Sequence, residues 1–261
     1  MTNTRERKHT IKNRIIAGIL SLVTVFSVGA FTITGASALT SDKADTSSDV
    51  STTAMLGESP DWVTKLDAAK DADQLFVVAA YDQTTAWVSM HEKDKDGKWQ
   101  MIMSTPGYIG KNGLGKTKEG DGKTPVGTFS FNAAFGIADD PGCAIPYTKV
   151  DENNYWSGDT RDGMQYNKMV DIRNYPDLNK DDSEHIIDYT RQYQYCLNIS
   201  YNAECKPDAG SAIFLHCLGP SKPFTGGCVA IPENQMKIVM QNVKPNCVVV
   251  IDSLDNFGGE F

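Results

Sequence analysis

The alternation of apolar and polar positions divides the chain into stretches of different period. Ile15 to Thr34 run for twenty residues without a charge. Residues 39–58, rich in Ser, Thr and Asp, carry almost no large apolar groups and cannot bury enough surface to fold, so they read as a disordered tether. A short helix is predicted next, with Ser59 as N-cap, Pro60 at the first helical position, and Trp62, Leu66 and Ala69 on one face. The period then drops to two. Leu75 to Tyr81 and Thr85 to Met90 are β-rich runs, and Trp99, Met101 and Met103 alternate with polar neighbours after the turn residues Asp96-Gly97. Further strands are predicted at 128–132, 197–201, 212–217 and 247–252. One later helix opens at Pro232, carries Met236, Val239, Met240 and Val243 on one face, and stops at Pro245. The pattern predicts a mainly β chain: one sandwich or barrel domain over residues 59–261 with a few short helices and no internal repeat.

Composition narrows the function classes. The chain is 40% hydrophobic and 22% charged, which excludes full disorder. It carries 33 acidic against 25 basic residues; removing residues 1–38, with five basic and one acidic, leaves 32 against 20, a net charge of −12. A nucleic-acid partner is excluded on that sign, because phosphate backbones require clustered Lys and Arg.

The amino terminus carries a targeting pattern. A basic cluster of Arg5, Arg7, Lys8, Lys12 and Arg14 precedes the uncharged run, which leads to Ala36-Ser37-Ala38. Residues 1–38 therefore read as a signal peptide cleaved after Ala38 or, if retained, as an N-terminal membrane anchor. Either reading puts residues 39 onward outside the cytoplasmic membrane, secreted or tethered to that membrane's outer face. No Cys near residue 38 suggests a lipid anchor.

Six cysteines, at 143, 196, 205, 217, 228 and 247, form no C-x-x-C pair, so no metal site is expected. Of the four histidines, His9 lies in the signal, and His91 and His185 read as solvated surface residues. His216 differs, because the apolar run Ala212-Ile213-Phe214-Leu215 delivers it to the core margin, twelve residues before Cys228 in Thr225-Gly226-Gly227-Cys228. An imidazole within reach of a thiol takes its proton and stabilises the thiolate, as nucleophilic cysteine catalysis requires. Gly226 and Gly227 permit a tight turn that aims main-chain amides at a developing oxyanion. Taken alone, the pair reads equally well as a core His beside a buried Cys.

The surrounding residues shift that balance. Gly210-Ser211-Ala212-Ile213-Phe214-Leu215-His216, followed by Thr225-Gly226-Gly227-Cys228-Val229-Ala230-Ile231-Pro232, resembles the active-site region of the L,D-transpeptidase (YkuD-type) catalytic domain, whose signature is a His followed by [Ser/Thr]-x-Gly-Cys. Glu119 to Phe129, containing Thr124-Pro125-Val126-Gly127-Thr128-Phe129, is similar to the family's T-P-x-G-x-[FY] element. Trp156 with Asp159, then Tyr166-Asn167, resemble the tract lining the approach to its cleft. The resemblance spans residues 74–252 and implies a β-rich L,D-transpeptidase-like domain.

It also implies a chemistry. Cys228 would attack the carbonyl joining a diamino acid to D-alanine in a peptidoglycan stem peptide, with His216 as base. An acceptor stem's amine would then take the acyl group in a 3→3 cross-link. Gly227 and Cys228 would supply oxyanion amides, and the carbonyl of Cys217 would orient the imidazole. Thr225, Trp156, Asp159, Tyr166 and Asn167 would contact substrate. No cofactor is implied, and a monomer is expected, working on donor and acceptor stems. The same site with water as acceptor would be a carboxypeptidase or other cysteine hydrolase of wall peptides, and the fold without catalysis a wall-binding module.

Two positions depart from the family pattern. Many members carry an Arg two residues after the nucleophile where this chain has Ala230, with Arg161, Arg173 and Lys222 as candidate substitutes. The residue after the base, often Gly or Ser, is Cys217, which suggests a redox-sensitive pairing with Cys228 or another cysteine. Elsewhere, residues 177–188 imitate a calcium loop but lack its Gly and its bidentate Glu. Gly107 to Gly122 reads as a mobile loop beside the cleft rather than a phosphate site.

Overall fold

The computed structural model describes residues 55–220 and 222–260. The segment read as a secretion signal and most of the predicted tether lie outside the described residues. The strands are β1 (Gly57–Glu58), β2 (Gln74–Ala80), β3 (Thr85–Lys93), β4 (Trp99–Tyr108), β5 (Gly127–Gly136), β6 (Tyr147–Lys149), β7 (Asn154–Trp156), β8 (Met169–Asp171), β9 (Glu184–His185), β10 (Cys196–Ile199), β11 (Phe214–Cys217), β12 (Val229–Ile231) and β13 (Val248–Ser253). Two α-helices, α1 (Asp61–Thr64) and α2 (Glu233–Asn242), accompany them.

The main sheet closes on itself. Its order runs β4-β12-β11-β10-β5-β13-β2-β3, and β3 pairs back onto β4; β1 adds to β4 and β6 to β5. Closure removes the open edges that an all-β chain must otherwise protect. The interior is filled by alternate side chains of the ring, including Phe76, Val78, Val88, Leu197, Leu215, Val229, Ile231 and Ile251. Helix α2 adds Met236, Val239 and Met240 to this core, as its period predicted. A second, three-stranded sheet, β8-β7-β9, lies in the long excursion between β6 and β10.

The first helix is shorter than its pattern suggested. It is a single turn followed by a 3₁₀ turn over Asp67–Lys70, and Ser59 is not its cap. The Ser59 hydroxyl is instead 2.8 Å from Nδ1 of His91, whose Nε2 is 2.8 Å from the Ser89 hydroxyl. His91 is thus no surface residue: it is fully buried, and burial pushes its pKa down to about 4. The missed signal is a cover. His91 alternates normally with Met90 along β3 and shares a face with its partner Leu75, which packs with Val63 and Leu66, and the segment that carries Ser59 closes over that face. In β4 one extra residue makes a bulge, since Met90 pairs with Met103 but His91 with Met101. The same bulge buries Ile102 and leaves Met101 partly exposed, against the predicted Trp99-Met101-Met103 stripe. The last residues of the predicted tether are also recruited: Leu56 N–H donates to Met101 O, and Gly57–Glu58 pair with Met101 and Gln100.

Candidate active site

Strands β11 and β12 run side by side in parallel, with His216 opposite Ala230 and Cys217 opposite Ile231. Because strand side chains alternate, Leu215, Cys217, Val229 and Ile231 point into the barrel, and Phe214, His216, Cys228 and Ala230 point to its outer face. Cys228 ends the loop one residue before β12, so two adjacent strands present the thiol and the imidazole to one cavity of about 640 Å3. Both are well shielded, at 8% and 6% exposure. Cys217, facing the other way, lies in the barrel core with its thiol toward Tyr195 O, and all six cysteines are free thiols. The expected Cys217–Cys228 redox pairing is therefore corrected: a sheet separates the two sulfurs.

The imidazole is held as a neutral base. His216 Nδ1 lies 2.8 Å from Cys217 O, and since a carbonyl only accepts, Nδ1 carries the proton and Nε2 keeps its lone pair. Burial pushes the His216 pKa down to about 4, partly offset by that carbonyl. The Cys228 Sγ donates to Ala212 O at 3.2 Å and accepts from Phe214 N at 3.3 Å. Burial pushes this thiol up to about 12, with Glu184 raising it further while the Phe214 amide and Lys116 oppose the shift. The resting pair is thus uncharged.

The turn before the nucleophile is built by hydroxyls. Thr225 Oγ1 donates to Cys228 O at 2.7 Å and accepts from Gly227 N at 3.1 Å. The expected aim of the Gly227 amide at substrate is therefore not what the structure shows, because a threonine two residues earlier captures that N–H in a local turn. Gly227 has φ +148°, and a Cβ there would approach Lys123 O to 2.8 Å. Thr124, fully buried, donates to Gly227 O at 2.7 Å and accepts from Gly110 N at 2.9 Å. The T-P-x-G element thus acts as a prop under the nucleophile turn.

The glycine-rich loop is pinned rather than mobile. Asp121 accepts from the amides of Thr117, Lys118 and Lys123 and from Lys116 Nζ at 3.1 Å. These bonds outweigh burial and hold its pKa down to about 2. Both side chains of the Lys116–Asp121 pair are almost wholly shielded.

The remaining predicted residues divide. Trp156 and Thr225 line the cavity, but Asp159, Tyr166 and Asn167 stand behind its wall. Asp159 binds Arg161 and the Asn179 amide. Tyr166 donates to Glu119 at 2.6 Å. Asn167 Oδ1 accepts from Trp156 Nε1 at 3.1 Å and Ala212 N at 3.0 Å, fixing the two segments that flank Cys228. Arg161 and Arg173 are committed to Asp159 and Asp171; Lys222 lines the cavity. His185 is half-buried, stacked on Tyr155 and 3.0 Å from Asp188. Sequence reasoning missed Glu184, Tyr189 and Tyr193, also in the cavity wall; they lie in a segment of weak periodicity that carried no signal. Among the described residues no group of three or more His, Cys, Asp or Glu side chains is arranged to hold a metal ion.

The family model for the L,D-transpeptidase catalytic domain (YkuD) matches residues 73–251. The chain belongs to the L,D-transpeptidase catalytic domain family. Its T-P-x-G prop, its His216 and its Thr225-to-Cys228 turn all fall inside the match. No curated protein matches the sequence. Among solved structures, it is similar to the helical cell shape determining protein Pgp2 from Campylobacter jejuni, at 17% identity and TM-score 0.39, over 69% of this chain and 48% of that one. It is also similar to an Enterococcus faecium L,D-transpeptidase carrying a cysteine-to-serine mutation, at 14% identity and TM-score 0.32, over 69% and 50%. The chain spans about half the length of these structures. Ala230, opposite His216 in the β11–β12 register, also lines the cavity.

Proposed function

We propose that this L,D-transpeptidase-family protein is a peptidoglycan cross-linking enzyme working outside the cytoplasmic membrane, with Cys228 as nucleophile. The observation that carries the reading is that Cys228 and His216 open from adjacent strands onto one cavity, with Nδ1 committed to Cys217 O so that Nε2 is the base. His216 Nε2 takes the thiol proton as sulfur attacks the carbonyl carbon between the diamino acid and D-alanine. The C–S bond forms, the C–N bond breaks, and the imidazolium returns its proton to the departing D-alanine amine. The Cys228 amide meets the developing oxyanion, and the Gly227 amide, held by Thr225, fixes the turn that carries it. An amine of a second stem then displaces the sulfur, giving a 3→3 cross-link. Thr225 and Trp156 contact substrate; Asp159, Tyr166 and Asn167 position the wall behind it. The uncharged resting pair suits a buried thiol that ionises only as substrate arrives.

The test incubates the full chain and its Cys228→Ala variant with a disaccharide tetrapeptide and follows products by mass spectrometry. Cross-linked dimers and D-alanine from the wild type alone are expected. Tripeptide without dimer makes the protein a carboxypeptidase, and product from the alanine variant overturns the nucleophile.

A further inference from the structure

The cavity that holds Cys228 has a second chemical feature. Glu184 of β9, paired in register with Trp156 of β7, faces it from the wall opposite the barrel. Trp156, Tyr189 and Tyr193 line the same wall. Tyr193 donates its hydroxyl to Glu184 Oε2 at 2.6 Å, and its ring stands edge-on to His216 with centroids 5.5 Å apart. Tyr189 lies against Tyr193, with centroids 4.6 Å apart. The other carboxylates of the wall are differently committed: Glu119 takes hydrogen bonds from Tyr166 and Ser211, and Asp182 takes one from Asn179. Among the described residues no Lys or Arg pairs with Glu184.

A carboxylate with one hydroxyl side-chain partner, in a cavity lined by three aromatic side chains and a nucleophile, has the chemistry of a cation seat. Aromatic faces attract an ammonium, and a carboxylate in a shielded place gains most from a partner of opposite charge. We propose that Glu184, with Trp156, Tyr189 and Tyr193, seats the primary alkylammonium of the acceptor and takes its first proton. The inference rests on the cross-linking reading and adds the acceptor's site to it.

The step balances. The ammonium gives one proton to the Glu184 carboxylate, and the freed lone pair attacks the thioester carbon. The C–N bond forms and the C–S bond breaks. The second amine proton passes through His216 Nε2 to the departing thiolate, and Glu184 returns its proton to solvent. Burial, with Glu119 nearby, raises the Glu184 pKa to about 7, which brings its basicity closer to that of an amine than an ordinary carboxylate's.

The test compares the full-length wild type, Glu184→Gln and Glu184→Asp on a disaccharide tetrapeptide, with either an alkylammonium acceptor or hydroxylamine, a nucleophile that is neutral at pH 7.5. The readout is the ratio of aminolysis to hydrolysis product from the shared acyl-enzyme. Loss of one charge-assisted contact is expected to lower the ratio about tenfold for the alkylammonium in Glu184→Gln. The Asp variant is expected to recover part of it, and the hydroxylamine ratio to stay near wild type. An unchanged alkylammonium ratio, or an equal fall with both acceptors, overturns the seat while leaving the cross-linking reading intact. Absence of D-alanine release from the wild type overturns that reading, and the seat with it.

Discussion

The main-chain N–H of Phe214 points at the sulfur of Cys228 across 3.3 Å, one step beyond the point where β11 and β12 begin their parallel ladder. The thiol thus occupies a place that a main-chain acceptor would otherwise fill, and donates in turn to Ala212 O. Strand β11 therefore supplies both the base and a sulfur-facing amide, so the nucleophile's position follows from strand pairing and not from loop conformation alone.

A consequence is a thiol that is protonated at rest. With its pKa pushed up to about 12, the thiolate fraction at neutral pH is small. Alkylation of Cys228 by iodoacetamide, followed by peptide mass spectrometry, is expected to accelerate about tenfold per pH unit from 7 to 10 with no plateau. A rate that levels off near pH 7 would mean a preformed ion pair with His216 instead.

Gly227 tests the turn. Its φ of +148° and the approach of Lys123 O leave no room for a methyl group. Gly227→Ala is expected to displace the Cys228 amide and lower kcat by about 10²-fold, the loss typical of one misplaced oxyanion donor. Its unfolding free energy should fall by about 1 to 3 kcal/mol. A variant with wild-type kcat and reduced stability alone would confine Gly227 to folding.

Much of this was legible in the sequence, for identifiable reasons. Strands β2, β3, β5 and β13 were readable because their β-branched and aromatic runs are bounded by turn residues, and α2 because Pro232 and Pro245 bracket a clean helical period. The His216 and Cys228 pair was legible because the residues around both form motifs. Glu184, Tyr189 and Tyr193 were not, since they reach the cavity through a short sheet and 3₁₀ turns that have no periodicity. His91 was misread because the outer face of β3 is covered by the segment carrying Ser59, Val63 and Leu66, a tertiary contact that periodicity does not show.

His91 also makes a pH prediction. Its pKa falls from 6.5 in an exposed setting to about 4 when folded, so the unfolded chain binds its proton first. The stability that neutral, buried His91 contributes is fully present above pH 6.5 and is lost as pH falls toward 4. Urea unfolding of wild type and His91→Gln should give free energies that converge between pH 7.5 and 5, because glutamine does not titrate. A constant difference would mean that folding leaves the His91 pKa where it is in the unfolded chain, against its burial.

The Lys116–Asp121 pair predicts how the loop supports the nucleophile turn. Asp121→Ala strands the buried Lys116 ammonium on Lys118 O and frees three amides, so a loss of about 3 to 5 kcal/mol is expected. Replacing both partners with apolar residues, Lys116→Met with Asp121→Leu, removes the uncompensated charge and should cost less than the single change. Asp121 is held at about 2, below its ordinary 3.8, so its contribution is present above pH 3.8 and lost as pH falls toward 2. Because Thr124 carries the loop's far end to Gly227 O, hydrogen exchange at 110–124 and at Gly227 should rise together in Asp121→Ala. Exchange confined to 110–124 would show that the nucleophile turn stands without its prop.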